Sequence, residues 1–208
     1  MLTKEQLNIF RVFKKGIFAR LTFKQVKEQS SQKSNNVTQL ALKTFQKQNL
    51  VKTQKTGNIT TYSLNLDNNL TLAYLGLINE LEIYDNKKLP KDVLNNLQKR
   101  ISKYSEFFIL LIFGSYADNK QTRKSDLDVA VITEIEKSKK QIIPYIETIK
   151  RREVIKIDYH VFTRKEFLEM LEEDEENVGK EIYRKNIVYY GIIKYYDLIK
   201  GERYGKIS

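Results

Sequence analysis

The chain has 208 residues, of which 41% are hydrophobic and 11% aromatic. That is enough to build packed cores in one large or two small domains, and it excludes wholesale disorder. There is no cysteine and one histidine, which excludes disulfides, zinc–thiolate sites, thiol nucleophiles and multi-histidine metal centres, so any metal is expected to be a hard cation on oxygen ligands.

The first predicted helix lies in "LTKEQLNIFRVF", where Leu7, Phe10, Val12 and Phe13 recur at helical spacing. "LTFKQVKEQSS" predicts a second, with Thr22 as N-cap and Phe23 and Val26 on one face. "SNNVTQLALKTFQKQNL" predicts a third, capped by Ser34 or Asn35, with Val37, Leu40, Ala41 and Phe45 as its buried stripe. Gln39, Lys43, Gln46 and Lys47 then share the opposite face. "LVKTQKTGNITTYSLN" reads as a hairpin, two runs rich in β-branched residues flanking a turn at Gly57.

The charge of this stretch sets it apart. The formal net charge of the chain is +11, and residues 1–66 carry 12 Lys and Arg against 2 Asp and Glu, whereas the remaining 142 residues carry 25 against 24. A basic module joined to a near-neutral one is the footprint of a nucleic-acid binder attached to something else. Three helices followed by a basic hairpin resemble a winged helix-turn-helix domain, over about residues 3–66. That resemblance implies DNA contact by Gln39, Lys43 and Gln46 of the third helix, and by Lys52, Lys55 and Asn58 of the wing.

Residues 67–104 read as a helical connector. "NLTLAYLGLINELEIY" is apolar at Leu70, Leu72, Leu75, Leu77, Ile78 and Leu81. "LPKDVLNNLQKRISKY" opens on Pro90 near a first-turn position and carries the stripe Val93, Leu94, Leu97 and Ile101. The connector is expected to join the modules and to offer a surface on which two chains could pair as a homodimer.

The last module, residues 105–208, alternates strands and helices. "FFILLIFGS" is a near-continuous apolar run ending in Gly-Ser, a buried strand. "SDLDVAVI" is a second strand, with Asp126 and Asp128 on one face and Leu127 and Val129 on the other. "EVIKIDYHVFT" is a third, in which Lys156, Asp158 and His160 alternate with Ile155, Ile157 and Tyr159. A helix-length crossover, "KSKKQIIPYIETIKRR", joins the last two, giving a small mixed-sheet domain in an α+β chain. Residues i and i+2 of a strand lie about 6.5–7 Å apart on one face, so two such carboxylates can span a metal pair spaced about 3.5–4 Å, and Asp158 could supply further oxygens. Gly114 lets the backbone approach a phosphate, and Ser115 can bond phosphate oxygen through its hydroxyl and N–H. The acidic run at 172–176 reads as a solvated helix end.

Strand, Gly-Ser, ten-residue spacer and Asp-x-Asp resemble the signature of the DNA polymerase beta-like nucleotidyltransferases, in their minimal, antitoxin-type form, over about residues 92–200. Gly114 and Ser115 match the Gly-Ser, Asp126 and Asp128 the metal-binding pair, and Asp158 the third carboxylate; "EIYRKNIVYYG" resembles the family's closing segment. The resemblance implies two Mg²⁺ ions on Asp126, Asp128 and Asp158, ATP as substrate, and Gly114, Ser115, Lys124 and Ser125 as nucleotide-binding residues. It also implies transfer of AMP to a macromolecular hydroxyl, with a HEPN-type ribonuclease toxin as the acceptor partner. A DNA-binding regulator whose second domain senses nucleotide or has lost its reaction is the alternative. After Gly-Ser-Tyr-Ala the family usually carries Arg-Gly, where this sequence has Asp118-Asn119. Asn119 tolerates the left-handed backbone expected there, and Lys120, Arg123 and Lys124 are near enough in sequence to replace the missing phosphate contact. No apolar run approaches the roughly 20 residues of a membrane span, and residues 1–10 lack a signal-peptide core; a cytoplasmic protein with no membrane partner is expected.

Overall fold

A computed structural model of the chain describes residues 1–205. It has two compact units, Met1–Glu80 and a second that starts at Leu81. In the first, α1 (Lys4–Phe10) runs on into a short 3-10 stretch (Arg11–Lys15), followed by β1 (Leu21–Thr22), α2 (Phe23–Gln29), α3 (Asn35–Lys47), β2 (Val51–Thr56) and β3 (Ile59–Leu64). The helices start where side chains satisfy their first N–H groups. Thr3 and Thr22 accept from the backbone of Gln6 and Gln25, whose side chains bond back to the threonine N–H, and Ser34 accepts from Val37. β2 and β3 form a hairpin closed by Gly57 and Asn58, with β1 antiparallel to β3. Gly57, at φ +59°, supplies the positive φ that this two-residue loop needs.

The core of this unit corrects the expected stripe of α3. Thr38, Ala41, Leu42 and Phe45 are buried, the i, i+3, i+4, i+7 positions of one face, while Leu40 is 62% exposed. Thr38 can go inside because its hydroxyl donates to the Ser34 carbonyl. In α4 (Asn69–Asp85), Thr71, Tyr74, Leu75, Ile78 and Asn79 are buried, while Leu70 and Leu77 are exposed. The Thr71 hydroxyl donates to the Leu50 carbonyl, the Tyr74 hydroxyl accepts the Leu2 N–H, and Asn79 accepts from Lys14. These three buried polar side chains each have a partner, so α4 can turn a partly polar face inward.

The second unit contains α5 (Lys91–Ile101), β4 (Phe108–Ile112), α6 (Gly114–Ala117), β5 (Leu127–Thr133), α7 (Glu136–Lys150), β6 (Ile157–Thr163), α8 (Arg164–Glu172), α9 (Val178–Arg184), β7 (Ile187–Tyr190) and α10 (Ile192–Gly205). Its sheet has the order β6-β5-β4-β7, with β5 and β6 parallel and the other pairs antiparallel, the mixed sheet of an α+β chain. Two parallel neighbours need a crossover, and α7 supplies it. All five residues of β4 are buried, as expected for a strand covered on both faces. Val93, Leu94, Leu97 and Ile101 of α5 join Ile112, Val129, Val131, Ile142 and Ile146 in one core. β6 begins at Ile157, four residues later than "EVIKIDYHVFT" suggests, and Val154 is fully exposed. Residues 172–176 are exposed, as expected of a solvated helix end. Among the described residues no helix is long and apolar enough to cross a membrane.

Ile112 is fully buried at the end of β4, two residues before Gly114. Ile112→Ala should destabilise the second unit by about 2–5 kcal/mol, from lost transfer energy and the cavity left behind. Urea unfolding followed by circular dichroism should show the lowered midpoint.

Candidate active site

The parallel ladder between β5 and β6 sets Asp128 directly opposite Asp158. Asp126 lies two residues before Asp128, just ahead of β5, and the pleat returns it to the same face. Asp158 thus faces Asp128 across the ladder at one edge of the sheet, and the charge of Asp126 also reaches Asp128. Asp128 is half-buried, and burial is the first cause that raises its pKa above the ordinary carboxylate range. The charges of Asp158, Asp126 and Glu181 push the same way, and His160 opposes them. His160 follows Asp158 by two on β6, with its ring stacked on Phe162 at 5.7 Å and tilted against Phe113 at 5.9 Å.

Gly114 is the residue that permits this approach. At φ +59° it starts α6, and a Cβ built there would fall 2.2 Å from Oδ2 of Asp128. The Phe113 N–H donates to the Asp128 carbonyl at 3.1 Å, tying the turn to the strand that carries the aspartate. Ser115, half-buried, is the second residue of α6. The turn is held from behind by buried amides: Asn86 donates to the Tyr116 carbonyl at 3.1 Å, and Gln121 donates to Asn86. Asn119 adopts φ +55°, the left-handed backbone expected of it.

Other expected residues fall in different places. Arg123 and Lys124 are exposed in the loop before β5, and Ser125 faces that loop, its hydroxyl accepting the Thr122 N–H at 2.9 Å. Gln39, Lys43 and Gln46 lie exposed on α3, around Leu40, in the first unit. Lys55 is exposed on β2, whereas the Lys52 ammonium sits 2.8 Å from Asp67.

Two residues that the sequence did not single out belong to this region. Glu181 of α9 acts on Asp128, and Lys185, capping α9, contacts Asp118, the residue that ends α6. Both lie in the closing segment, four residues apart. Their spacing was visible, but their approach to Asp118 and Asp128 depends on a return of the chain more than 50 residues later.

Among the described residues, no three His, Asp or Glu side chains stand arranged to hold a metal ion. The chemistry of the donor set nevertheless fits a divalent one. Asp126, Asp128 and Asp158 offer hard oxygens, and the mutual repulsion that raises Asp128 is what a bound cation relieves.

Residues 95–190 match the family model described as polymerase beta, nucleotidyltransferase. Neither the curated proteins nor the solved structures compared with the chain contain a match. The family match supports a nucleotidyltransferase-type function for the second unit, and it spans β4, α6, β5 and β6 with all three aspartates.

A carboxyl whose folded pKa is raised favours the folded state below its unfolded pKa and loses that advantage as pH rises through the folded value. Asp128→Asn should therefore raise the melting temperature at pH 7 in the absence of divalent metal. The gain should shrink to nothing as pH falls below the ordinary carboxylate range. Melting curves of both proteins across pH 3–8 make the comparison.

Proposed function

We propose that the second unit is a Mg²⁺-dependent nucleotidyltransferase that moves AMP from ATP to a hydroxyl of another macromolecule. The observation that carries this reading is the apposition of Gly114 with Asp128, across the ladder from Asp158. Only a glycine fits where the Asp128 carboxylate fills the place of a Cβ, and this sets the Gly-Ser backbone directly against a carboxylate suited to a metal. In this reading Asp126, Asp128 and Asp158 hold two Mg²⁺ ions. Such ions, when bound, neutralise triphosphate charge and lower the pKa of an attacking hydroxyl. Ser115 binds a phosphate oxygen through its hydroxyl and N–H, and Asp158 orients the acceptor oxygen for attack on the α-phosphorus. That P–O bond forms as the bond to pyrophosphate breaks, and the hydroxyl proton passes to the Asp158 carboxylate. The preference for adenine, and a HEPN-type ribonuclease toxin as the acceptor in an antitoxin role, rest on the family resemblance of the Gly-Ser and Asp-x-Asp segment.

Incubation with α-labelled ATP, Mg²⁺ and candidate acceptors should label one of them and release pyrophosphate. The double variant Asp126→Ala/Asp128→Ala should lose the activity by about a hundredfold or more, the scale of charge stabilisation by bound metal. Equal labelling by wild type and variant would falsify the enzyme reading.

A second reading, compatible with the first, is that the N-terminal unit is a winged helix that binds DNA as a transcriptional regulator. It is favoured by the charge surplus of residues 1–66 together with the exposed Gln39, Lys43 and Gln46 of α3 and the exposed β2 strand. Duplex binding should weaken steeply with salt, by about 10³-fold or more between 50 and 200 mM if six or more phosphates are contacted. Lys43→Ala/Lys55→Ala should flatten that slope by about two ions, measured by fluorescence anisotropy. Affinity that does not change with salt removes this reading.

A further inference from the structure

A carboxylate one turn beyond Gly-Ser poses a problem for any site that must hold a polyphosphate. Asp118 ends α6, and its N–H donates to the Gly114 carbonyl at 3.1 Å, so its charge stands one helical turn from the glycine. Alone, it would repel the phosphates that Gly114 and Ser115 are shaped to receive. It is not alone. Lys185 contacts Oδ1 of Asp118, and the Lys120 ammonium lies 3.8 Å from Oδ2. Two cations on one carboxylate leave the cluster with a net positive charge.

The backbone places this cluster beside the turn. The Lys120 N–H donates to the Ser115 carbonyl at 3.0 Å. The Lys185 N–H donates to the Glu181 carbonyl at 3.1 Å, and Glu181 is the third carboxylate whose charge reaches Asp128. The last turn of α9 thus relates to both ends of the Gly114–Ala117 turn. The Asp118 side chain is 23% exposed, while those of Lys185 and Lys120 are 56% and 78% exposed. The carboxylate is tucked in and the ammonium groups face solvent. Ion pairs this exposed add little to stability, so the arrangement is better explained by what the lysines can reach than by what they hold together.

We infer that Lys185 and Lys120, gathered by Asp118, form a cationic subsite for the β- and γ-phosphates of the incoming nucleoside triphosphate. The inference rests on the nucleotidyltransferase reading and adds to it a group from the far end of the domain. Asp118 fills the role of a positioning residue: it fixes where the Lys185 ammonium waits.

Affinities for ATP, ADP and AMP in the presence of Mg²⁺, measured by isothermal titration calorimetry on the full chain, test it. Lys185→Gln should weaken ATP about tenfold, the scale of one charge-assisted phosphate contact. ADP should weaken less, and AMP, which lacks both outer phosphates, should be unchanged. Lys185→Arg should restore ATP binding. Asp118→Asn, which frees Lys185 from its anchor but keeps both lysines, should weaken ATP less than Lys185→Gln does and leave AMP unchanged; unchanged ATP affinity in this variant would overturn the positioning role of Asp118. Equal weakening of ATP and AMP by Lys185→Gln would mean that the residue only supports the fold, and would overturn the subsite. Unchanged ATP affinity would overturn it as well, while leaving the nucleotidyltransferase reading standing. If wild type binds none of the three nucleotides, that reading fails and the subsite fails with it.

Discussion

Carboxylates repel one another, and the second unit is arranged to hold several close together. The parallel register that sets Asp128 opposite Asp158 can exist only if β5 and β6 run the same way, so the chain must cross over through α7. Bringing the Gly-Ser turn to the same point requires β4 on the other side of β5, ending at that edge. Hence β5 lies between β6 and β4, and the turn beginning at Gly114 sits against the aspartate. The hydrophobic interior of β4 and β5 is then the platform that keeps like charges from drifting apart. Burial first, and then the neighbouring carboxylates, raise the pKa of Asp128. A folded state that tolerates such a cluster without gaining stability from it is the usual mark of a site selected for function.

Much of this was legible because the elements are local and strongly patterned. The apolar run of β4, the Asp-x-Asp on a strand face and the Gly-Ser between them each follow from a handful of neighbouring residues. Thr22 and Ser34 cap the helices they were expected to cap, and Gly57 turns the hairpin, because capping and positive φ are decided within four residues. Where the reading failed, the deciding partner lay elsewhere or was polar. Leu40 looked like core until the Thr38 hydroxyl found the Ser34 carbonyl. In α4, Thr71, Tyr74 and Asn79 share the packed face with Leu75 and Ile78 because Leu50, Leu2 and Lys14 satisfy them, which the apolar positions alone do not reveal. Apolar periodicity cannot register a buried polar side chain whose partner is dozens of residues away.

The candidate site divides the same way. Its three aspartates were visible in the sequence, two from their spacing and the third from its strand. Lys185 and Glu181 were not, because nothing in "EIYRKNIVYYG" says that α9 ends beside α6. Asp118 was misleading by itself, since a carboxylate in place of a cation suggests a weakened phosphate site. Its meaning changes once two lysines share it. Ser125 shows the reverse case: adjacent to Asp126 in sequence, it spends its hydroxyl on the loop at Thr122.

The two charge patterns of the chain answer different physical demands. The proposed triphosphate site would need cations at fixed positions within a few ångströms rather than a large net charge, and residues 67–208 carry 25 Lys and Arg against 24 Asp and Glu. Local placement, not net charge, governs such a site, because fields from more distant groups are screened over about 8–10 Å at physiological salt. The surplus of residues 1–66, 12 Lys and Arg against 2 acidic residues, is a different kind of pattern and calls for its own explanation. A broad, exposed, weakly paired basic surface suits a ligand that is itself broad and repetitively charged, since many modest phosphate contacts add through released counterions. The polar face of α3 and the exposed β2 strand have that character, and the cluster at Asp118 does not.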